Sequence, residues 1–171
     1  MPIVNHIRMS LLASWLAMAI YFSAVVAPSA FGVLRSFGLT NASEIAGSVV
    51  TRNLYAVNIS GLVLSLLLLA SSFAVKKYYV RAAFILHNAL LVGIALLTAV
   101  GEWVIASRMR GLRAAMQGQI DSVPLDDPNR VAFAALHGYS VTALSVAMVA
   151  ALIAVFIMIC SREKADVTAF E

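Results

Sequence analysis

Glu102, His137, Asn58 and His87 fall inside long apolar runs of this sequence, where polar groups are costly and tend to have a task. Glu102 lies about five residues before the third apolar run ends, and His137 about five residues after the fourth begins. Asn58 lies a similar distance inside the second run, and Pro28 marks the far end of the first. If successive runs cross a membrane in alternate directions, all four share one depth. An acid near the middle of a span costs ~2.5–3.5 kcal/mol on insertion scales, and less at this shallower level. The spacing therefore predicts that His137 donates to Glu102, with Asn58 bracing the pair. The sharper alternative is a proton- or cation-binding site there, because histidine can change charge near neutral pH; which metal, if any, is left open.

His87 sits about a turn inside the third run, entering from the opposite face. At ~1.5 Å per residue, His87 and His137 are separated by roughly 20 Å in depth, so one haem clamped by both is excluded. A single-histidine pigment or haem ligand at His87 stays open, ranked behind a structural role. His6 lies before the first run and is expected to be solvated. The sequence has no nucleophile elbow, no H-E-x-x-H pair and no glycine-rich phosphate loop, so no enzyme is expected. Cys160 is the single cysteine, which rules out an intrachain disulfide and a metal-binding cysteine pair.

The elements that must hold these side chains are dictated by composition. The 171 residues are 62% hydrophobic and only 12% charged, about half the charged share of a soluble domain. A core of this size cannot bury so much apolar surface, so lipid must be the solvent for much of it. Four runs, at about 9–34, 54–75, 82–107 and 133–160, each reach the ~20 residues needed to cross a bilayer. The first is longer than a usual signal core and is read as a retained span. Only Lys76-Lys-Tyr-Tyr-Val-Arg81 separates the second and third runs, which makes them antiparallel neighbours. The expected fold is all-α: one domain of four transmembrane helices, up-and-down, with both ends on one side.

Two features lie between the third and fourth runs. Met109, Leu112 and Met116 share one side at helical spacing among Arg108, Arg110 and Arg113, which predicts an interfacial helix. Asp126-Asp127-Pro128 reads as the start of the last helix, with an aspartate cap and proline in the first turn. The net charge of +4 does not point to nucleic acid, because the cations cluster at span ends. Six cations fall on each side of the predicted topology: Arg8, Lys76, Lys77, Arg81, Arg162 and Lys164 against Arg35, Arg52, Arg108, Arg110, Arg113 and Arg130. The first set is packed more tightly beside the spans, and on that ground the termini are expected in the cytoplasm; the expected location is a bacterial inner membrane.

Helices in lipid associate through small and polar residues, and each run carries a stripe of them. These are Ser14, Ala17, Tyr21, Ala24 and Pro28; then Asn58, Gly61, Ser65 and Ser72 with Leu68 in step; then Asn88, Ala95, Thr98 and Glu102 with Leu91 in step; and His137, Ser140, Ala147 and Ala151 with Phe133 and Leu144 in step.

Phe133-Ala-Ala-Leu-His-Gly-Tyr-Ser140 resembles the start of the last helix in the four-span family that includes transmembrane protein 205 and its bacterial relatives. Ala27-Pro28-Ser-Ala-Phe31 resembles that family's first-span end, and Met109-Arg-Gly-Leu-Arg113 its basic segment after the third span. The asparagine that this pattern has soon after the Ser140 position is absent, with Ala143 nearby instead. The resemblance implies a fold more than an activity; a more distant likeness, in architecture alone, is to copper-resistance membrane proteins. Two function classes are compatible with these residues. The first is an accessory or structural subunit, with lipid and other membrane subunits as partners. The alternative is a small transport or metal- or proton-handling protein that uses the polar site between its helices.

Overall fold

In a computed structural model, which describes residues 3–117 and 120–167, the chain forms four long apolar helices. Each is long and apolar enough to span a membrane: Ile3–Ser36, Ala42–Tyr78, Arg81–Ala115 and Pro128–Cys160. The first comprises α1 (Ile3–Tyr21), a π-helical turn (Phe22–Val26) and α2 (Ala27–Ser36). The second is α3 (Ala42–Val75), ending in a short 3₁₀ turn, Lys76–Tyr78. The third is α4 (Arg81–Ala99), a second π-helical segment (Val100–Ala106) and α5 (Ser107–Ala115); the last is α6 (Pro128–Val167).

The helices form a ring in chain order: α1 packs on α3, α3 on α4, α4 on α6, and α6 closes on α1. Alternation of direction is visible in the contacts. Arg8, near the start of α1, meets Leu68 and Ser72 near the end of α3, and His87 near the start of α4. All-α architecture, the four spans and an integral membrane bundle therefore stand as expected.

Two of the four predicted stripes are the inward faces. Asn58, Gly61, Ser65, Leu68 and Ser72 of α3 are all buried. So are Leu91, Ala95, Thr98 and Glu102 on the third span, with Asn88 half-buried. Three buried hydroxyls return to their own helix: Ser65 donates to the Gly61 carbonyl (2.7 Å), Ser72 to Leu68 (2.7 Å) and Thr98 to Ile94 (2.8 Å), so each of these is paired inside the bundle. On α6 the stripe holds from Ser140 through Leu144, Ala147 and Ala151, whereas His137 is exposed.

The first span corrects the expectation. Ser14, Ala17, Tyr21, Ala24 and Pro28 are not the buried face, and the inward face is Asn5, Arg8, Leu12, Trp15, Leu16, Ala19 and Phe22. Close approach is provided by the partner instead. A Cβ on Gly61 would lie 2.8 Å from the Trp15 indole, so the missing side chain on α3 makes the slot that the ring fills. Trp15 Nε1 then donates to the Val57 carbonyl at 3.1 Å. Arg8, counted by sequence among the cations at span ends, is likewise inside the bundle, with only 3% of its surface exposed.

Between the third and fourth spans, the predicted helix and the predicted start of the last helix are both present. The basic segment is helical as α5, which packs on α6 and is followed by buried Met116. Asp127 caps α6, its Oδ1 accepting from the backbone N–H of Asn129 (2.8 Å) and Arg130 (3.3 Å), with Pro128 in the first turn.

Candidate functional site

The π-helical turn Phe22–Val26 and Pro28 lie together in the first span. A π turn inserts an extra residue per turn and is found disproportionately at functional sites; proline removes a helix donor and bends the helix around it. Before this point α1 packs on both α3 and α6; beyond it α2 packs on α3. A wedge therefore opens between α2 and α6, enclosing a cavity of about 500 Å³, within the ~300–1,000 Å³ range of ligand sites.

Phe22, Pro28, Phe31 and Arg35 line it from the first span, Gly47, Val50, Thr51 and Leu54 from α3, Met109 and Arg113 from α5, and Phe133, His137, Ser140 and Leu144 from α6. The three segments that carry the family resemblance, far apart in sequence, thus meet on one cavity. Its floor is apolar and its basic groups are at one end. The Arg113 guanidinium presses on the Gly47 backbone, where any Cβ would collide with it. It also lies over the Phe133 ring, 5.7 Å from the centroid, a favourable cation–π placement. Its Nε is buried with no partner. Arg35 lies over Phe31, also at 5.7 Å. Among the described residues the one ion pair is Arg110–Glu102, so neither Arg35 nor Arg113 has a carboxylate partner there. Asp121, from the connecting loop, is the acid in the lining.

The predicted polar site is divided by the structure. His137 faces the wedge and makes no hydrogen bond to Glu102. Glu102 Oε1 instead accepts from Arg110 Nη1 at 2.9 Å, while its Oε2 is buried without a partner. Asn58 lies against Gly101, the residue before this acid, where a Cβ would be 3.4 Å from the Asn58 amide nitrogen. The physical reason for the split is the second π-helical segment, Val100–Ala106, which changes the helical phase. Glu102 is buried in this segment, which packs on α3 and α6, and Arg110, two turns on, is within reach of it. Among the described residues no three His, Cys, Asp or Glu side chains gather as a metal cluster would need.

His87 belongs to a different cluster, at the face of the bundle where α1 begins. It is 1% exposed, stacks on Tyr79 (centroids 5.7 Å, 26°) and lies 3.4 Å by Nε2 from Arg8 Nη2. A guanidinium only donates, so Nε2 accepts and the ring proton belongs on Nδ1. Enclosed in this way, the imidazole has no open side for a macrocycle. Arg8 also donates to the Leu68 carbonyl at 2.5 Å and to Ser71 and Ser72. Tyr79, between the second and third spans, donates to Asn5 Oδ1 at 3.1 Å; burial pushes its phenol up, against the opposing pull of Arg8 and of the Asn5 hydrogen bond.

Reading the residues one span at a time missed Arg8, Asn5, Tyr79 and Arg35 as site residues. A signal for the first two was present: positions 5, 8, 12, 15, 19 and 22 follow an unbroken three–four spacing, which marks one helix face.

A family model described as Domain of unknown function (DUF4149) matches residues 10–118, which run from α1 through α5. The Phe133–Ser140 segment lies beyond that match. No curated protein and no solved structure matches the chain.

Proposed function

The chain belongs to the DUF4149 family, and on that footing we propose that it is a non-enzymatic integral membrane protein that takes a lipid-like molecule sideways into the wedge between α2 and α6. The observation that carries this reading is the cavity itself. It is a concave, mostly apolar space bordered by Phe22, Leu54 and Leu144, at a place where a continuous helix departs from regular winding. Such a space has no reason to stay empty in a bilayer, where acyl chains surround it. Its borders include residues of the segments that resemble the transmembrane protein 205 group, and we keep that finer kinship, and a bacterial inner membrane with cytoplasmic termini, within the proposal. An accessory role in a larger membrane complex is compatible with it, since a lipid held in the wedge offers a surface to a neighbour. A metal or proton site shared by Glu102 and His137 is not, because the two side chains point to different places.

Photo-crosslinking tests the reading. Diazirine-tailed phosphatidylcholine, reconstituted with the full chain in lipid discs, should modify peptides bearing Phe31 and Val141 more strongly than those bearing Val63 and Leu67 on the outer surface of α3. Ser145→Trp, which fills the lining, should remove that excess. Even modification over all four helices would overturn the proposal.

A further inference from the structure

The wedge is chemically graded along its length, and the grading specifies its occupant. Arg35 and Phe22 border it thirteen residues apart on one helical span, or ~20 Å at ~1.5 Å per residue. Phe22, Leu54 and Leu144 make the deep end apolar. Arg35, in the last turn of α2, and Arg113, in the last turn of α5, bring two permanent cations to the other end, and His137 adds a ring N–H donor from α6. Arg113 is the more telling of the two. It is half-buried, without a carboxylate partner among the described residues, held in place by the Gly47 backbone and the Phe133 ring, and one of its donors is buried and unused. A cation so fixed is preorganised for an anion that the protein itself does not supply. Asp121 at the rim leaves the lining with an excess of positive charge.

From this arrangement we propose that the occupant is an anionic phospholipid, its phosphate held by Arg113 and Arg35 with His137 alongside, and one acyl chain lying along Phe22, Leu54 and Leu144. Arginine suits phosphate because its planar fork can donate two parallel hydrogen bonds. The gradient, apolar inside and cationic at the boundary, matches an amphiphile embedded in the same leaflet, where a free anion would use the basic end alone. This inference rests on the lateral-uptake reading above and adds the class of headgroup.

The test uses the delipidated full chain in neutral detergent, titrated with phosphatidylglycerol and with phosphatidylcholine of the same acyl chains, with retained lipid counted by native mass spectrometry. Phosphatidylglycerol should be retained about tenfold better, the equivalent of one good charge-assisted contact. Arg35→Gln with Arg113→Gln should bring the two lipids to parity, lowering phosphatidylglycerol retention more than that of phosphatidylcholine, whose phosphate is the same but whose choline cation the two arginines repel. Arg35→Lys with Arg113→Lys should keep a preference, which guards against a folding defect in the glutamine pair. Arg52→Gln with Arg108→Gln, exposed cations on the same side that do not line the cavity, should keep it in full. Equal retention of both lipids by the unaltered protein would overturn the headgroup assignment and leave lateral uptake standing. Retention of neither would overturn both. Displacement of phosphatidylglycerol by millimolar inorganic phosphate would show an anion site that does not depend on a lipid, and would also overturn the proposal.

Discussion

Arg8 is a cation with 3% of its surface exposed, and among the described residues no acid pairs with it. What it has are acceptors: the Leu68 carbonyl and the hydroxyls of Ser71 and Ser72, all in the last turns of α3. Carbonyls near a helix C-terminus carry the negative end of the helix dipole and favour a nearby cation. The charge is thus stabilised by a helix end in place of a carboxylate. Hydrogen bonds to charged groups contribute ~1.5–3 kcal/mol each, and Arg8→Ala is expected to lower stability by about that amount or more. Arg8→Lys should fall between, since an ammonium can keep one of the contacts but cannot span Leu68 and Ser72 together. Reversible unfolding in mixed micelles measures both, and an unchanged Arg8→Ala would mean that these bonds contribute nothing in a membrane.

At the level of the helices, two glycines do different jobs. Gly61 and Gly47 both lie on α3, and both touch a side chain from another helix. At Gly61 the neighbour is the ring of Trp15, locked by its bond to Val57 and by the packing of α1. At Gly47 it is the tip of a long arginine. Gly61→Ala should therefore cost ~1–3 kcal/mol, the usual range for overpacking, and break the indole hydrogen bond, shifting part of the tryptophan emission. Gly47→Ala should cost less, ~0.5–1 kcal/mol, because the guanidinium must give up its cation–π seat over Phe133 to make room, and that displacement disturbs the wedge. Equal losses in the two variants would show that the α1–α3 contact is looser than the structure has it. The π-helical segments act at this scale too. One opens the wedge beside Pro28, and the other turns Glu102 inward while Arg110 reaches back to it.

For the molecule as a whole, the ring of helices requires an even topology. In a Cys160→Ser background, single cysteines at exposed Val4 and Lys77 should react from one side of sealed vesicles. Cysteines at exposed Asn41 and Leu125 should react from the other. Labelling of Val4 and Leu125 from the same side would break the four-span arrangement. Which of the two sides is cytoplasmic is read in the same experiment, and it decides which leaflet the wedge opens to.

The number of spans, their direction, the Asp127 cap and the inward faces of α3 and α4 were legible in the sequence. Each depends on local spacing: run length against bilayer thickness, a three–four repeat of small residues, or an aspartate before a proline. The inward face of α1 was misread because its complement is on another helix. Ser14 and Ala17 of α1 face outward, and it is Gly61 of α3 that lets Trp15 in. The polar site was legible in part. Gly101, next to Glu102, does lie against Asn58, but depth does not fix azimuth, and Glu102, in a π-helical segment that periodicity does not announce, pairs with Arg110 and not with His137. The wedge belongs to tertiary structure alone. It exists because α2 leaves α6 beyond a π turn, so that Arg35, Arg113 and His137 come to share a space that no single helix contains.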